Sequence, residues 1–201
     1  MSIFERWREK RRQQRLEARK IYVQEIGWDF QLPDGFTRWS QVKVQKSYEL
    51  SVKNMGGYSE ESMYHAANSR AIFTGEFDRW NQISGSIAGI KGCTEVQINA
   101  TREDCKEKLS RSFSRIPQSR IERSTSSCSI GGVAFEQHSF LIIRNGKPIL
   151  CFDYIYQIIG EYELAIALSY NNETPRQELF RCLEESRFMN FSGPFSSLRT
   201  F

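Results

Sequence analysis

Two histidines, five cysteines and one acid inside an aromatic run are the residues whose types could do chemistry in this 201-residue chain. Glu136 precedes His138 by two positions, so on a regular strand the two side chains share a face, and a carboxylate beside an imidazole is an acid–base pair. No nucleophile accompanies them in the sequence. A strand histidine is more often a hydrogen-bonded or half-exposed sheet residue, and that is the expectation here. His65, on a middle segment, is a weaker candidate. Cys93, Cys105, Cys128, Cys151 and Cys182 stand singly, with no C-x-x-C pair and too few histidines to complete a metal site. They read as reduced thiols of a cytoplasmic protein, mostly buried as small hydrophobes. Cys128 precedes Ser129-Ile130-Gly131-Gly132 and is the one candidate for exposure, with an inert thiol expected. Asp153 is expected to face outward. Gly85, Gly89 and Gly92 fit neither G-x-G-x-x-G nor a Walker loop. No enzyme activity, cofactor or metal site is expected.

The elements that would position these residues are clearest from Ser129 to Phe188. Gly131-Gly132 is a turn, and Val133 to Arg144 is a strand whose second half, apolar on both sides, belongs in the middle of a sheet. Asn145-Gly146 marks a two-residue hairpin, because both residues accept positive φ. Ile149 to Ile158 alternates Leu150, Phe152, Tyr154 and Tyr156 with Cys151, Asp153, Ile155 and Gln157. After Gly160, Leu164, Ile166 and Leu168 oppose Ala165, Ala167 and Ser169, a small face that a helix could approach closely. A last helix is predicted from an N-cap at Thr174, with Pro175 at its first position and Gln177 closing a capping box.

Upstream, residues 3 to 20 lack Gly and Pro and predict a helix. Trp28, Phe30 and Leu32 alternate with polar residues as a strand that runs into the Pro33-Asp34-Gly35 turn. Val42 to Val52 reads as a second extended segment, ending at Asn54-Met55-Gly56-Gly57. Residues 58–92 have no clean period: a helix from about Ser59, then an irregular insertion. Val96, Ile98 and Ala100 alternate as a strand, followed by a helix from Thr101 to about Arg115 with Cys105, Leu109, Ser112, Phe113 and Ile116 inward. Ser119 to Ser127 is a short strand.

Charge is uneven. Residues 1–20 carry eight Lys/Arg and three Glu, whereas the rest of the chain is close to neutral at net −1. The body therefore has no field of its own to attract a polyanion. No apolar run is long enough to cross a membrane, and the charged start does not read as a signal peptide, so a cytoplasmic location is expected. The division expected is a basic arm over 1–24, one α+β domain over 25–190 with the insertion at 58–92, and a tail over 191–201. Phe4, Trp7, Arg8, Arg11, Arg12 and Arg15 would let the arm meet anionic lipid or nucleic acid. A solvated leading helix is the plainer expectation.

The order of parts, with Leu32-Pro33-Asp34-Gly35, the Gly131-Gly132 turn and the closing Ser186-Arg187-Phe188, resembles the PsbP-like family over residues 26–189. That family includes the PsbP subunit of photosystem II, a Ran-binding nuclear-import factor and bacterial DcrB-like proteins. The resemblance implies an α/β sandwich in which an antiparallel sheet of about six strands is flanked by helices. It also implies an accessory or chaperone-like role without catalysis. No functional residue carries over, because the shared positions are structural. The expected partner is a protein. Aromatic residues concentrate at interface hot spots, so Tyr58, Tyr64, Phe73, Phe77 and Trp80 in the irregular segment are the candidate contacts.

Overall fold

The computed structural model describes residues 3–54 and 63–189. The predicted helix α1 (Ile3–Arg19) leads into strands β1 (Lys20–Val23), β2 (Trp28–Gln31) and β3 (Thr37–Arg38), and then into α2 (Gln41–Asn54) and the short α3 (Met63–Ala67). Strands β4 (Ser69–Glu76) and β5 (Gln82–Gly89) precede α4 (Glu95–Ser114). The strands predicted from Ser119 onward are present as β6 (Ser119–Ile130), longer than expected, β7 (Val133–Arg144), β8 (Lys147–Ile159) and β9 (Tyr162–Tyr170), a meander followed by α5 (Glu173–Glu184) and β10 (Arg187–Phe188).

Two antiparallel sheets result. Seven strands run in the order β3-β4-β5-β9-β8-β7-β6, and a small sheet runs β1-β2-β10. Gly131-Gly132 and Asn145-Gly146 all take positive φ, so both tight hairpins form with the turn chemistry their residues prescribe. The core lies between the sheets and under α5. There Trp28 stacks on Phe30 at 5.2 Å between ring centroids and on Phe188 at 6.0 Å, and its indole N–H donates to Ser186 Oγ at 2.9 Å. The helices α2 and α4 lie on the other face of the large sheet.

Several expected elements are corrected. Val42 to Val52 is the helix α2, not a strand. Val44, Ser47, Tyr48 and Val52 fall at helical spacing and are turned toward the sheet, and burying that stripe outweighs the β-preference of its valines. Val96 to Ala100 is likewise the first turn of α4. Thr94 and Gln97 form a reciprocal capping box, so the helix starts well before Thr101, whose hydroxyl instead donates to Gln97 O at 2.9 Å. Ile98, Thr101 and Ser110 are the buried residues of α4. The last helix begins at Glu173 after Asn172, leaving Thr174 and Pro175 inside its first turn.

The largest correction concerns residues 58–92. In place of an irregular insertion, β4 and β5 are interior strands of the large sheet. Gly85 lies within β5, and its missing side chain is what lets the Phe73 ring lie against the strand: a Cβ there would overlap that ring. Gly85→Ala is expected to cost about 1–3 kcal/mol through forced repacking of Phe73, measurable as a lower urea midpoint. The turn expected at residues 54–57, the helix start at 59–62 and the tail over 191–201 lie outside the described residues, apart from Asn54, which ends α2.

Candidate functional site

Alternation along β5 and β9 sends Ile83, Ile87, Leu164, Ile166 and Leu168 into the core. The intervening residues, Ser84, Ser86, Ala88, Ala165 and Ala167, floor a groove on the opposite face together with Ala71 of β4. Its walls are Val44, Ser47, Tyr48 and Val52 of α2 and Thr101, Cys105 and Leu109 of α4, and it encloses about 460 Å³. The small residues of β9 thus do not bring a helix close, as the sequence led us to expect. Two helices flank them and leave the floor open.

Each end of the groove is fixed by a polar contact. At one, Trp39 donates its indole N–H to Glu76 Oε2 at 2.6 Å, and the Lys43 ammonium lies 3.4 Å from the Trp39 ring centre. At the other, Glu163 of β9 accepts from Arg102 Nε of α4 at 2.5 Å, with Glu163 only 3% exposed. The Arg102 guanidinium also stacks over Tyr156 at 4.4 Å, so one cation ties α4 to two strands. Between these ends the lining is apolar and hydroxyl-bearing, a surface suited to an uncharged, partly aromatic occupant.

Beside the groove, His138 does meet Glu136, at 2.8 Å through Nε2. Tyr156 OH lies 3.0 Å from the same nitrogen, and Thr125 Oγ1 lies 3.1 Å from Nδ1. Partial burial pushes the Glu136 carboxyl up, but hydrogen bonds from Tyr156 and His138 outweigh it and hold Glu136 below its ordinary range. The carboxylate accepts a hydrogen bond from Nε2 and the Thr125 hydroxyl meets Nδ1, so both ring nitrogens have partners. Neither Glu136 nor His138 lines the groove. The thiols follow their burial: Cys105 and Cys128 are each pushed up to about 11, and Cys93, Cys151 and Cys182 are raised as well, so none is an activated thiolate. Asp153 is buried rather than outward, accepting from Ser139 Oγ at 2.5 Å and Tyr170 OH at 2.9 Å. Among the described residues, no three His, Cys, Asp or Glu side chains group as metal ligands, and no helix is long and apolar enough to cross a membrane.

Of the five aromatic contacts proposed from sequence, the described side chains of Phe73, Phe77 and Trp80 do not form one surface. Phe73 is 1% exposed and belongs to the core, which removes it as a partner contact; a strand read as a loop made it look available. Phe77 and Trp80 are exposed in the turn between β4 and β5, next to Glu76. Tyr64 falls in α3, as does His65, and Tyr58 lies outside the described residues. Phe4, Trp7, Arg8, Arg11, Arg12 and Arg15 are all exposed on α1, away from the groove. The groove residues themselves went unnoticed on α2 and β5. The signal was present in Ile83-Ser84-Gly85-Ser86-Ile87, where Ile83, Gly85 and Ile87 alternate with two serines.

No protein-family model matches the chain, and neither does any curated protein in sequence. Among solved structures, it is similar to the solution structure of cyanobacterial PsbP from Synechocystis. That match has 10% identity and a TM-score of 0.49, covering 84% of this chain and 91% of that one. The likeness concerns the path of the backbone alone. The protein is an α+β chain in which the described residues form two antiparallel sheets with helices flanking the larger one.

Proposed function

We propose that this chain is a non-catalytic binding module whose α2/α4 groove receives an apolar or aromatic segment of a protein partner. The observation that carries this reading is the groove floor. Sheet positions beneath a closely packed helix normally bear large apolar residues, yet Ala71, Ser84, Ser86, Ala88, Ala165 and Ala167 leave room for side chains supplied from elsewhere. Phe77 and Trp80 support a protein partner over a free small molecule. They are exposed in the turn that follows Glu76, whose carboxylate holds Trp39 at that end of the groove, and Phe77 rests one side of its ring on Phe36. The non-catalytic part of the reading is supported by a Glu136–His138 pair that lies outside the groove and by thiols held protonated.

The test uses the purified chain and a panel of soluble peptides bearing spaced apolar and aromatic side chains. Ala167→Phe fills the floor without touching the core face and is expected to weaken peptide binding by about tenfold or more, equivalent to about 1.4 kcal/mol, with an unchanged thermal midpoint. Equal affinity in the filled variant would sink the groove as the site. Binding of small apolar molecules but of no peptide would replace the protein partner with a free ligand.

A further inference from the structure

The first helix does nothing for the fold over most of its length. From Phe4 to Arg15 every residue of α1 is exposed, and contact with the body begins only near Leu16 and Arg19. A helix that buries no apolar stripe on its own domain gains no stability from packing there, so its surface is available to something else. Its base is nonetheless fixed. Arg19 pairs with Asp34, Leu32 N donates to Arg19 O at 3.1 Å, and Arg38 Nη1 donates to Lys20 O at 2.7 Å.

Four arginines of this helix share one side with its exposed aromatics, and the opposite side has mixed charge. At about 100° per residue, Phe4, Trp7, Arg8, Arg11, Arg12 and Arg15 fall within about 140° of the circumference; Glu9 and Glu17 lie on the other half with Arg6 and Lys10, and Glu5 stands at the border beside Arg12. The acids are held locally: Glu9 accepts from Gln13 at 2.9 Å and lies 3.8 Å from Arg12, and Glu17 holds Lys20 at 2.6 Å. On the basic half the Arg11 guanidinium lies 3.6 Å from the centre of the Trp7 ring, so cation and aromatic already form one surface. Phe4 is 77% exposed and Trp7 51% exposed at the far end of the same face.

We infer that this face of α1 docks on an anionic lipid surface. Phosphate attraction alone would account for the arginines but would leave Phe4 exposed to no purpose. A bilayer interface uses both, taking Phe4 and Trp7 into the headgroup–acyl boundary while the arginines reach lipid phosphates. Neither signal suffices singly, and stable attachment of a peripheral protein ordinarily needs two. The near-neutral body adds no competing attraction, so the helix decides where the molecule binds. The reading is independent of the groove, and the two can fail separately.

Co-sedimentation of the full chain with phosphatidylcholine vesicles, with and without phosphatidylserine, tests it. Binding is expected only to the anionic vesicles and should weaken steeply as salt is raised. Arg8→Gln/Arg11→Gln/Arg15→Gln should lower the partition coefficient about 100-fold, from about fivefold per arginine near the surface. Phe4→Ala should weaken binding to the same vesicles, and a vesicle-induced blue shift of tryptophan emission should vanish in Trp7→Phe. These side chains are solvent-exposed and glutamine is a good helix former, so an unchanged unfolding midpoint is expected to accompany each loss. Absence of vesicle binding, equal binding to neutral vesicles, or full binding by the triple variant would overturn the inference. So would tighter binding to a single- or double-stranded oligonucleotide than to vesicles at matched phosphate, which would assign the face to nucleic acid.

Discussion

Trp28→Ala is expected to destabilise the protein by about 3–5 kcal/mol, enough to unfold a large fraction of a marginally stable domain. The indole is fully buried at the meeting point of both sheets, stacked between Phe30 and Phe188 and tilted against Phe73 at 6.0 Å. Removing it leaves a cavity bounded by three rings held by different strands, which cannot all move inward together. It also removes the donor to Ser186 Oγ, although that hydroxyl keeps its own bond to Leu183 O at 2.6 Å. Trp28→Phe separates the two contributions. It keeps most of the ring stack and loses the indole hydrogen bond, for an expected cost of about 1–3 kcal/mol including the smaller ring volume. Urea unfolding followed by far-UV circular dichroism measures both. Equal losses for Ala and Phe would mean that the hydrogen bond, and not the packing, dominates.

Glu163→Gln should cost about 3 kcal/mol or more, for a different reason. Glu163 and Arg102 have side chains only 3% and 16% exposed, so neutralising the acid strands a nearly buried guanidinium without its counter-charge. Arg102 keeps Asn99 Oδ1 at 3.3 Å and the Tyr156 ring, and neither offsets a full charge. The sharper outcome lies in the double variant. Glu163→Gln/Arg102→Met removes the stranded charge together with its partner, so it should be more stable than Glu163→Gln alone. A double variant as unstable as the sum of the two single ones would show that the pair contributes nothing jointly. Because Arg102 ties α4 to β8 and β9, the single substitution is also expected to loosen the α4 wall of the groove and weaken peptide binding.

What could be read in the sequence was whatever is decided within a few residues. Asn145-Gly146 and Gly131-Gly132 carry their turn chemistry in their own backbones, and Trp28-Asp29-Phe30 shows its two faces directly. Elements whose form depends on a distant surface were misread. The valines of α2 favour a strand when considered alone, and only the open sheet face against which Val44 and Tyr48 pack makes that segment a helix. Ser84, Gly85 and Ser86 resemble a turn until Phe73 is laid across them. The groove was the least legible feature for the same reason. A small residue is informative only through what stands opposite it, and for Ala165 and Ala167 that is the space between two helices. The acid–base pair was legible at residue level, since two residues of strand spacing did bring Glu136 and His138 together. What the spacing did not show was the pair of partners, Thr125 and Tyr156, that the neighbouring strands supply.

The bond between Trp28 and Ser186 joins residues 158 positions apart. During synthesis an emerging chain exposes β1 and β2 early, but their third strand, Arg187–Phe188, and the hydroxyl that receives the indole leave the ribosome only after the whole meander and α5. At about 5–20 residues per second, Trp28 waits roughly 8–30 seconds with its ring unsealed. A nascent chain interrupted before Ser186 therefore lacks the closure of its small sheet, and such fragments should be cleared by proteases where the finished molecule survives.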